Sequence, residues 1–318
     1  MYIGIVILNY NNSFDTINCI KSVLEYNSLP AKFIIVDNGS PDLRVIQDIN
    51  KFLDETFHGD YLKIDDDFSV ETPVLPAATF LESAINDGYA KGNNKGLRLA
   101  YSDPTIDKVL ILNSDILFIE DFLPELSEKL ESLPDAAIIS PLLLKKDEKS
   151  IDYTCARLSV GIKELIYQNV CYIFRKSTNI DLNRCLLYKD ATLINKQVVP
   201  IDLPSGSCML FDKKMFEHIG SFDPGTFLYY EEDILYQKIK NIGLKNYICP
   251  QLRCVHLGAA STKKVKFSYS SFMKSRESQR YYVHKFMKPN FFALMAYELT
   301  RRIFNFSVWL PLKLKNKM

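Results

Sequence analysis

The chain has 318 residues, 47% hydrophobic and 24% charged, which suits a globular protein of one large or two modest domains. Seven scattered cysteines, odd in number and without a Cys-x-x-Cys pair, argue against a disulfide framework or a zinc cluster and point to a reducing compartment. The net charge of +1 hides an asymmetry: residues 261–318 carry 13 Lys and Arg against only Glu277 and Glu298, while the preceding 260 residues are acidic.

Met1 to Leu8 reads as a buried strand, with no basic start and apolar stretch of a signal peptide. A polar turn, Asn9-Tyr10-Asn11-Asn12-Ser13, leads into a helix whose Ile17, Ile20, Val23 and Leu24 share a face. Ala31 to Val36 is a second strand ending on Asp37-Asn38-Gly39-Ser40, and the order predicts a right-handed βαβ unit. Asp65-Asp66-Asp67 reads as a solvated acidic loop rather than a metal triplet. Asn86 to Gly96 is a glycine- and amide-rich turn opening a helix; it lacks the Gly-Lys-Ser/Thr ending of a phosphate loop but offers backbone N–H groups at a helix start.

Val109-Leu110-Ile111-Leu112 is a run of branched aliphatics that stops on Asn113-Ser114-Asp115. Such a run fits a strand buried on both faces of a parallel sheet, and the carboxyl ends of such strands are where open α/β sheets bind ligands. A helix over Phe122–Leu133 follows, then a long excursion over 140–200 with one helix near Gly161–Phe174. Strand character returns over Ile201–Phe211 around Ser205-Gly206-Ser207, followed by a short helix over Lys213–Ile219. Phe227 to Asp233 then places three acids, Glu231, Glu232 and Asp233, at the start of a helix that stops at Gly243. Asn246–Pro250 is a short strand before Val255-His256-Leu257-Gly258.

In this order, VILNYN, IIVDNGS, NDGYAKGNNKGL, VLILNSD, SGSCMLFDKKMFEHIGSFDPGTFLYYEEDILYQKIKNIG and VHLGAAST resemble the inverting glycosyltransferases of family 2, most of all the rhamnosyltransferase-like enzymes of bacterial polysaccharide assembly. The likeness covers about residues 2–260. It implies an α/β protein of the GT-A nucleotide-diphospho-sugar transferase fold, with a mostly parallel central sheet flanked by helices and a C-terminal helical tail. Residues 1–260 would form the catalytic domain, 1–120 its nucleotide-binding half and 121–260 its acceptor half.

The resemblance also implies roles. Asp37 would hold the donor's base or ribose, with Asn9, Tyr10 and Asn38 in the same pocket. Gly88, Gly92, Asn93 and Asn94 would lie beneath the nucleotide sugar. Asp115 would bind a divalent metal, Mg2+ or Mn2+, with His256 near it. Asp233, preferred to its neighbour Glu232, would be the catalytic base. Many members have Asp-x-Asp where this chain has Asn113-Ser114-Asp115, so the metal site loses one charge. The donor would be dTDP-rhamnose or a UDP-hexose, and the acceptor a growing glycan linked to a polyprenyl diphosphate, on the cytoplasmic face of the membrane. A catalytically inactive scaffolding subunit is one alternative. A sugar nucleotidyltransferase is another, disfavoured because its glycine-rich turn after strand one is absent.

Asn290 to Leu312 is rich in Phe and Leu but is interrupted by Glu298, Arg301 and Arg302, which argues against a spanning helix. The expectation is a basic amphipathic extension over 261–318 lying on an anionic membrane surface, with Lys313, Lys315 and Lys317 facing the lipid. The competing reading is a helix packed on the catalytic domain. No nucleic-acid partner is expected.

Overall fold

A computed structural model describes residues 1–67, 74–174, 184–258 and 268–314. Its centre is a twisted sheet of ten strands. In chain order the first elements are β1 (Tyr2–Asn9), α1 (Ser13–Tyr26), β2 (Ala31–Asp37), α2 (Leu43–Phe57), β3 (Tyr61–Asp65), β4 (Ala78–Glu82), α3 (Tyr89–Ser102) and β5 (Ile106–Asn113). Then come β6 (Ile116–Phe118), α4 (Leu123–Ser132), β7 (Ala136–Lys145), β8 (Ala156–Arg157), α5 (Ile162–Ile173) and α6 (Leu186–Lys189). The chain continues with β9 (Val199–Ile201), β10 (Leu203–Pro204), β11 (Cys208–Asp212), α7 (Lys213–Ile219), α8 (Glu231–Asn241) and β12 (Lys245–His256). It ends on α9 (Tyr269–Tyr282), a π-turn over Val283–Met287, and α10 (Phe291–Leu314).

The strand order is β3-β4-β2-β1-β5-β11-β7-β12-β6, with β9 beside β12. The first five strands are all parallel. Beyond β5 the sheet is mixed: β11 runs antiparallel to both β5 and β7, β7 and β12 are parallel, and β6 and β9 are antiparallel to β12. The expected parallel architecture therefore extends only over β1 to β5. Strands β3 and β4 escape the sequence reading because both are only five residues long and β3 is irregularly buried, and β12 is one long strand rather than two pieces. Ile201–Phe211 divides into three short strands, because Asp202 turns the chain and Ser205–Ser207 loops back to β5.

Apolar side chains alternate across the sheet into two cores. One holds Ile5, Ile20, Phe33, Ile49, Leu110 and Leu126 under α1, α2 and α4. The other holds Val6, Val36, Leu97, Val109, Phe211 and Phe216 under α3 and α7. A third, smaller cluster joins the C-terminal helices to α5 and α8 through Leu165, Ile234, Tyr282, Val283 and Tyr297. Residues 268–314 are thus part of the folded body. Phe304 of α10 packs its ring 5.2 Å from Tyr172 of α5, and Arg276 of α9 donates to Asn169 of α5 at 2.7 Å.

At the opposite edge from the strand carboxyl ends, Lys32 and Asp103 form an ion pair at 2.7 Å with side chains 6% and 0% exposed. Asp103 also accepts from the backbone N–H of Leu75 and Thr105. Burial alone would raise the Asp103 pKa, but the hydrogen bonds from Lys32 and Thr105 outweigh it and hold it below the usual value. Asp103→Ala leaves Lys32 buried without its counter-charge and should cost about 3–5 kcal/mol in urea unfolding at neutral pH. Because the folded pKa is depressed, this contribution is present above the unfolded value of about 3.9 and fades as pH falls through the folded one. The deficit of the variant should therefore shrink in acid.

Candidate active site

The carboxyl ends of β1, β2, β4 and β5 and the start of α3 meet on one side of the sheet, and the sequence-marked residues gather there. Asp37, at the end of β2, is fully buried. Its Oδ1 accepts from Asn9 Nδ2 at 2.6 Å and Ser40 Oγ at 2.5 Å, and its Oδ2 from Ser40 N at 2.9 Å. Asn9 is also fully buried and accepts from Thr16 Oγ1 at 2.9 Å. Asn9 therefore fixes the Asp37 carboxylate instead of standing open to a ligand. Tyr10, beside it, is exposed.

Asn38 is 3% exposed and clamps the Asn86–Gly88 turn, donating to Asn86 Oδ1 and Gly88 O and accepting from Asp87 N. Gly88, at φ +84°, lies where a Cβ would run into the Phe227 carbonyl, which accepts the Tyr89 N–H at 2.9 Å. Gly92 lets α3 sit close on β1: a Cβ there would lie 2.6 Å from Leu8 Cδ1. Asn93 is 1% exposed and donates to Tyr89 O within its own helix. Of the residues expected beneath the nucleotide sugar, Asn94 is tied most firmly to the protein itself. Its amide donates to Phe222 O at 2.9 Å and accepts from Phe222 N at 3.2 Å, tying α3 to the loop before α8. Asp66 of the acidic triplet is likewise structural: it pairs with Lys95 at 2.9 Å, and Asp87 takes the same ammonium at 3.0 Å.

At the end of β5, Asn113 N donates to Ser207 O at 2.8 Å and its side chain to Ser207 Oγ at 3.3 Å. The chain then turns through Asp115 into β6, whose Ile116 pairs with His256 of β12. That pairing brings His256 Nε2 to 3.4 Å from Asp115 Oδ2. The other ring nitrogen, Nδ1, lies 2.7 Å from Asp152 Oδ2. Asp152 had no sequence signal, because it sits in the aperiodic 140–200 stretch and is brought to β12 only by the sheet. Burial would lower the His256 pKa, but the hydrogen bonds of the two carboxylates outweigh it and raise it to about 9. Asp152 moves oppositely, to about 2: its bond to His256 overcomes the penalty of burial.

Among the described residues no group of three or more His, Cys, Asp and Glu side chains converges as a metal cage. Asp115 and His256 present one carboxylate and one imidazole, with Asn113 two residues away. That donor set suits a cation that keeps water and substrate phosphate among its ligands, as Mg2+ and Mn2+ do.

The three acids of α8 diverge, as consecutive helical residues about 100° apart must. They are set up by Tyr229 and Tyr230, both left-handed at φ 72° and 71°, a conformation costing about 1–3 kcal/mol each in residues other than glycine. The surroundings hold it: Tyr230 Oη accepts from Gln279 at 2.5 Å and its ring stacks 5.6 Å from Tyr282, both on α9. Glu231 turns inward, is 4% exposed and accepts from Thr226 Oγ1. Burial, with the charge of Glu232 beside it, pushes its pKa up to about 8, so it keeps its proton at neutral pH. Glu232 turns to the cleft: its Oε1 accepts from Gly206 N at 3.0 Å, one residue from the Ser207 that pairs with Asn113, and lies 3.4 Å from Arg157. Asp233 turns the other way, with its side chain 4% exposed and 3.3 Å from Arg184; burial raises its pKa against the pull of Arg184 and Arg157. Both arginines come from the 140–200 excursion, and neither was marked by the sequence.

The fold has counterparts among solved structures. A mannosyltransferase from Pyrobaculum calidifontis, in complex with GDP-mannose and Mn2+, superposes with a TM-score of 0.55 at 13% identity, over 96% of this chain and 69% of that one. The chain has the GT-A glycosyltransferase fold. GalNAc-T7, solved with UDP, GalNAc and Mn2+, also superposes at 0.55 and 13% identity; 80% of this chain is covered but only 44% of that longer one. By sequence, the GT-A chain is similar to the low-salt glycan biosynthesis hexosyltransferase Agl10 of Haloferax volcanii, 24% identical over 274 residues, 86% of this chain and 73% of the relative. No family model matches it.

Replacing Asn94 tests its reassignment. Asn94→Ala orphans the Phe222 backbone and should cost about 1–3 kcal/mol in unfolding experiments, with the affinity for nucleotide unchanged.

Proposed function

We propose that this protein is a metal-dependent inverting glycosyltransferase that moves a hexose or rhamnose from a nucleoside-diphosphate donor to a glycan acceptor. The observation that carries the reading is one continuous run of contacts on a GT-A frame. It leads from the Asp115–His256 pair through Asn113 and Ser207 to Gly206 and the carboxylate of Glu232.

In this reading the nucleoside end of the donor lies over the Asp37–Asn38 floor, with Tyr10 beside it. Asp115 and His256 would hold Mg2+ or Mn2+, which when bound offsets the charge of the leaving diphosphate. We assign the base to Glu232 and revise the choice of Asp233. Glu232 is the more exposed of the two side chains, 18% against 4%, and reaches the strand end that carries the metal pair. It takes the proton of the acceptor hydroxyl as that oxygen attacks the anomeric carbon. Glu231, protonated beside it, removes one like charge from the pair. Asp233 with Arg184 fastens α8 to the chain before α6. The inactive-scaffold alternative is disfavoured by the intact site, and the nucleotidyltransferase alternative by the polar Asn9–Asn12 turn.

The tail reading is also refined. One face of α10 packs on the body through Tyr297 and Phe304, and the other exposes Phe292, Met295, Leu299, Ile303, Phe306 and Leu310, spaced three or four apart. Arg302 borders this stripe and Lys313 extends it, while Lys315 and Lys317 lie outside the described residues. Among the described residues no helix is long and apolar enough to cross a membrane. An apolar stripe edged by cations suits the surface of an anionic bilayer, which would present a lipid-linked acceptor to the cleft from the cytoplasmic side.

Thermal shifts with UDP, dTDP and GDP, each with and without Mn2+, should show a metal-dependent rise with one base. No rise with any of them contradicts the donor reading. Glu232→Gln should lower turnover by roughly 10²–10⁴-fold and keep that shift; full turnover in this variant, or its loss only in a stably folded Asp233→Asn, returns the base to Asp233. For the tail, flotation with phosphatidylglycerol vesicles should be salt-sensitive and be lost in the double variant Leu299→Glu, Phe306→Glu. Equal flotation of wild type and variant would refute the stripe as the contact.

A further inference from the structure

Asp152 is the least expected member of the site, and its geometry is the most constrained. It stands just after the turn that follows β7, where Ile151 bridges back to Leu144 and the Asp152 N–H donates to Leu143 O at 2.9 Å. Its two carboxylate oxygens do different things. Oδ1 caps the turn ahead, accepting from Thr154 N at 3.0 Å and Thr154 Oγ1 at 2.8 Å. Oδ2 meets His256 Nδ1 at 2.7 Å. The carboxylate is thus pinned from one side and can rotate away from the imidazole only by breaking its cap.

A carboxylate held at Nδ1 settles two properties of the ring. It favours a proton at Nδ1, so that Nε2 is the nitrogen left to face a cation. It also fixes the ring plane, and here Nε2 is directed at Asp115. A histidine that binds a metal through one nitrogen commonly donates the other N–H to such a carboxylate, which fixes the tautomer and strengthens the ligand. Asp152 is 17% exposed in its side chain and His256 is 16% exposed, so the pair is shielded from most competing water.

We propose that Asp152 is a positioning residue for the metal, orienting His256 so that Nε2 and the Asp115 carboxylate address one cation. This rests on the assignment of Asp115 and His256 as the metal pair. Asp152 itself does not reach the cation. Its hold also links cation binding to the turn between β7 and the Tyr153–Cys155 helix, and so to Arg157, which lies two residues beyond that helix and contacts Glu232.

The test is the affinity for Mn2+ in the presence of the preferred nucleoside diphosphate, measured by calorimetry on the full chain. Asp152→Asn keeps the size and the capping ability of the residue and removes its charge. Asp152→Ser keeps a cap for Thr154 but is too short to reach the imidazole. His256→Ala and Asp115→Asn are measured beside them. The expected result is a loss of roughly 10–100-fold in Mn2+ affinity in both Asp152 variants, with nucleotide binding in the absence of metal unchanged. Unchanged Mn2+ affinity in the Asp152 variants, beside a loss in His256→Ala, overturns the positioning role alone. Unchanged affinity in all four variants overturns the metal assignment and the proposal with it. In the Mg2+ complex, nitrogen-15 spectra of His256 should report protonation at Nδ1; protonation at Nε2 also overturns the proposal.

Discussion

The hydrogen bond between Asn113 N and Ser207 O, at 2.8 Å, closes the seam between the parallel and mixed parts of the sheet. It exists because β11 runs antiparallel to β5, with Cys208 opposite Leu112. In an all-parallel sheet the strand after β5 would present its start at the other edge, and a crossover helix would separate the two chain segments. Antiparallel pairing instead delivers the loop that begins β11 straight to the carboxyl end of β5. Everything chemical in the cleft is placed from that seam: the turn into Asp115 on one side, and Gly206 with the carboxylate it receives on the other.

Charge is arranged by direction more than by number. Three acids in sequence would repel one another on an exposed surface. At the start of α8 they are sent to three environments, a threonine hydroxyl, a backbone N–H with an arginine, and a second arginine. Two residues of left-handed backbone set the angle of entry, and the C-terminal helices hold that angle. Burial opposes ionisation at Glu231 and Asp233, and the middle acid is the most exposed of the three.

Much of the parallel part of the sheet was legible in the sequence, because buried parallel strands are continuous apolar runs and their ends are marked by abrupt polar residues. The run 109–112 with Asn113 and Asp115, and the run ending at Asp37, were read correctly as strands with polar ends meeting on one side. Function and packing could not be separated at the amides and glycines. Asn9, Asn38 and Asn94 look like ligand-facing side chains in one dimension, yet each spends its hydrogen bonds on the protein. The 140–200 stretch was largely illegible for a different reason. Asp152, Arg157 and Arg184 lie in a segment without period and gain meaning only from contacts with β12 and α8, which lie about 50 to 100 residues further along the chain. The choice between neighbouring acids turned on helical direction, which spacing alone does not give.

Gly225 lies against the ring of Tyr281 with no room for a side chain, and Asp223 accepts from Tyr281 Oη and pairs with Lys285. The loop that aims the acids thus uses the C-terminal helices as its backing wall. Cutting the chain before residue 268, a natural choice for obtaining a more soluble protein, would strip that backing and let Tyr229 and Tyr230 relax from their left-handed conformation. Loss of transfer in such a fragment would then say nothing about lipid. If the last helix attaches the protein to a bilayer as proposed, attachment and chemistry share one piece of scaffolding, and only substitutions on the outward face of that helix can tell them apart.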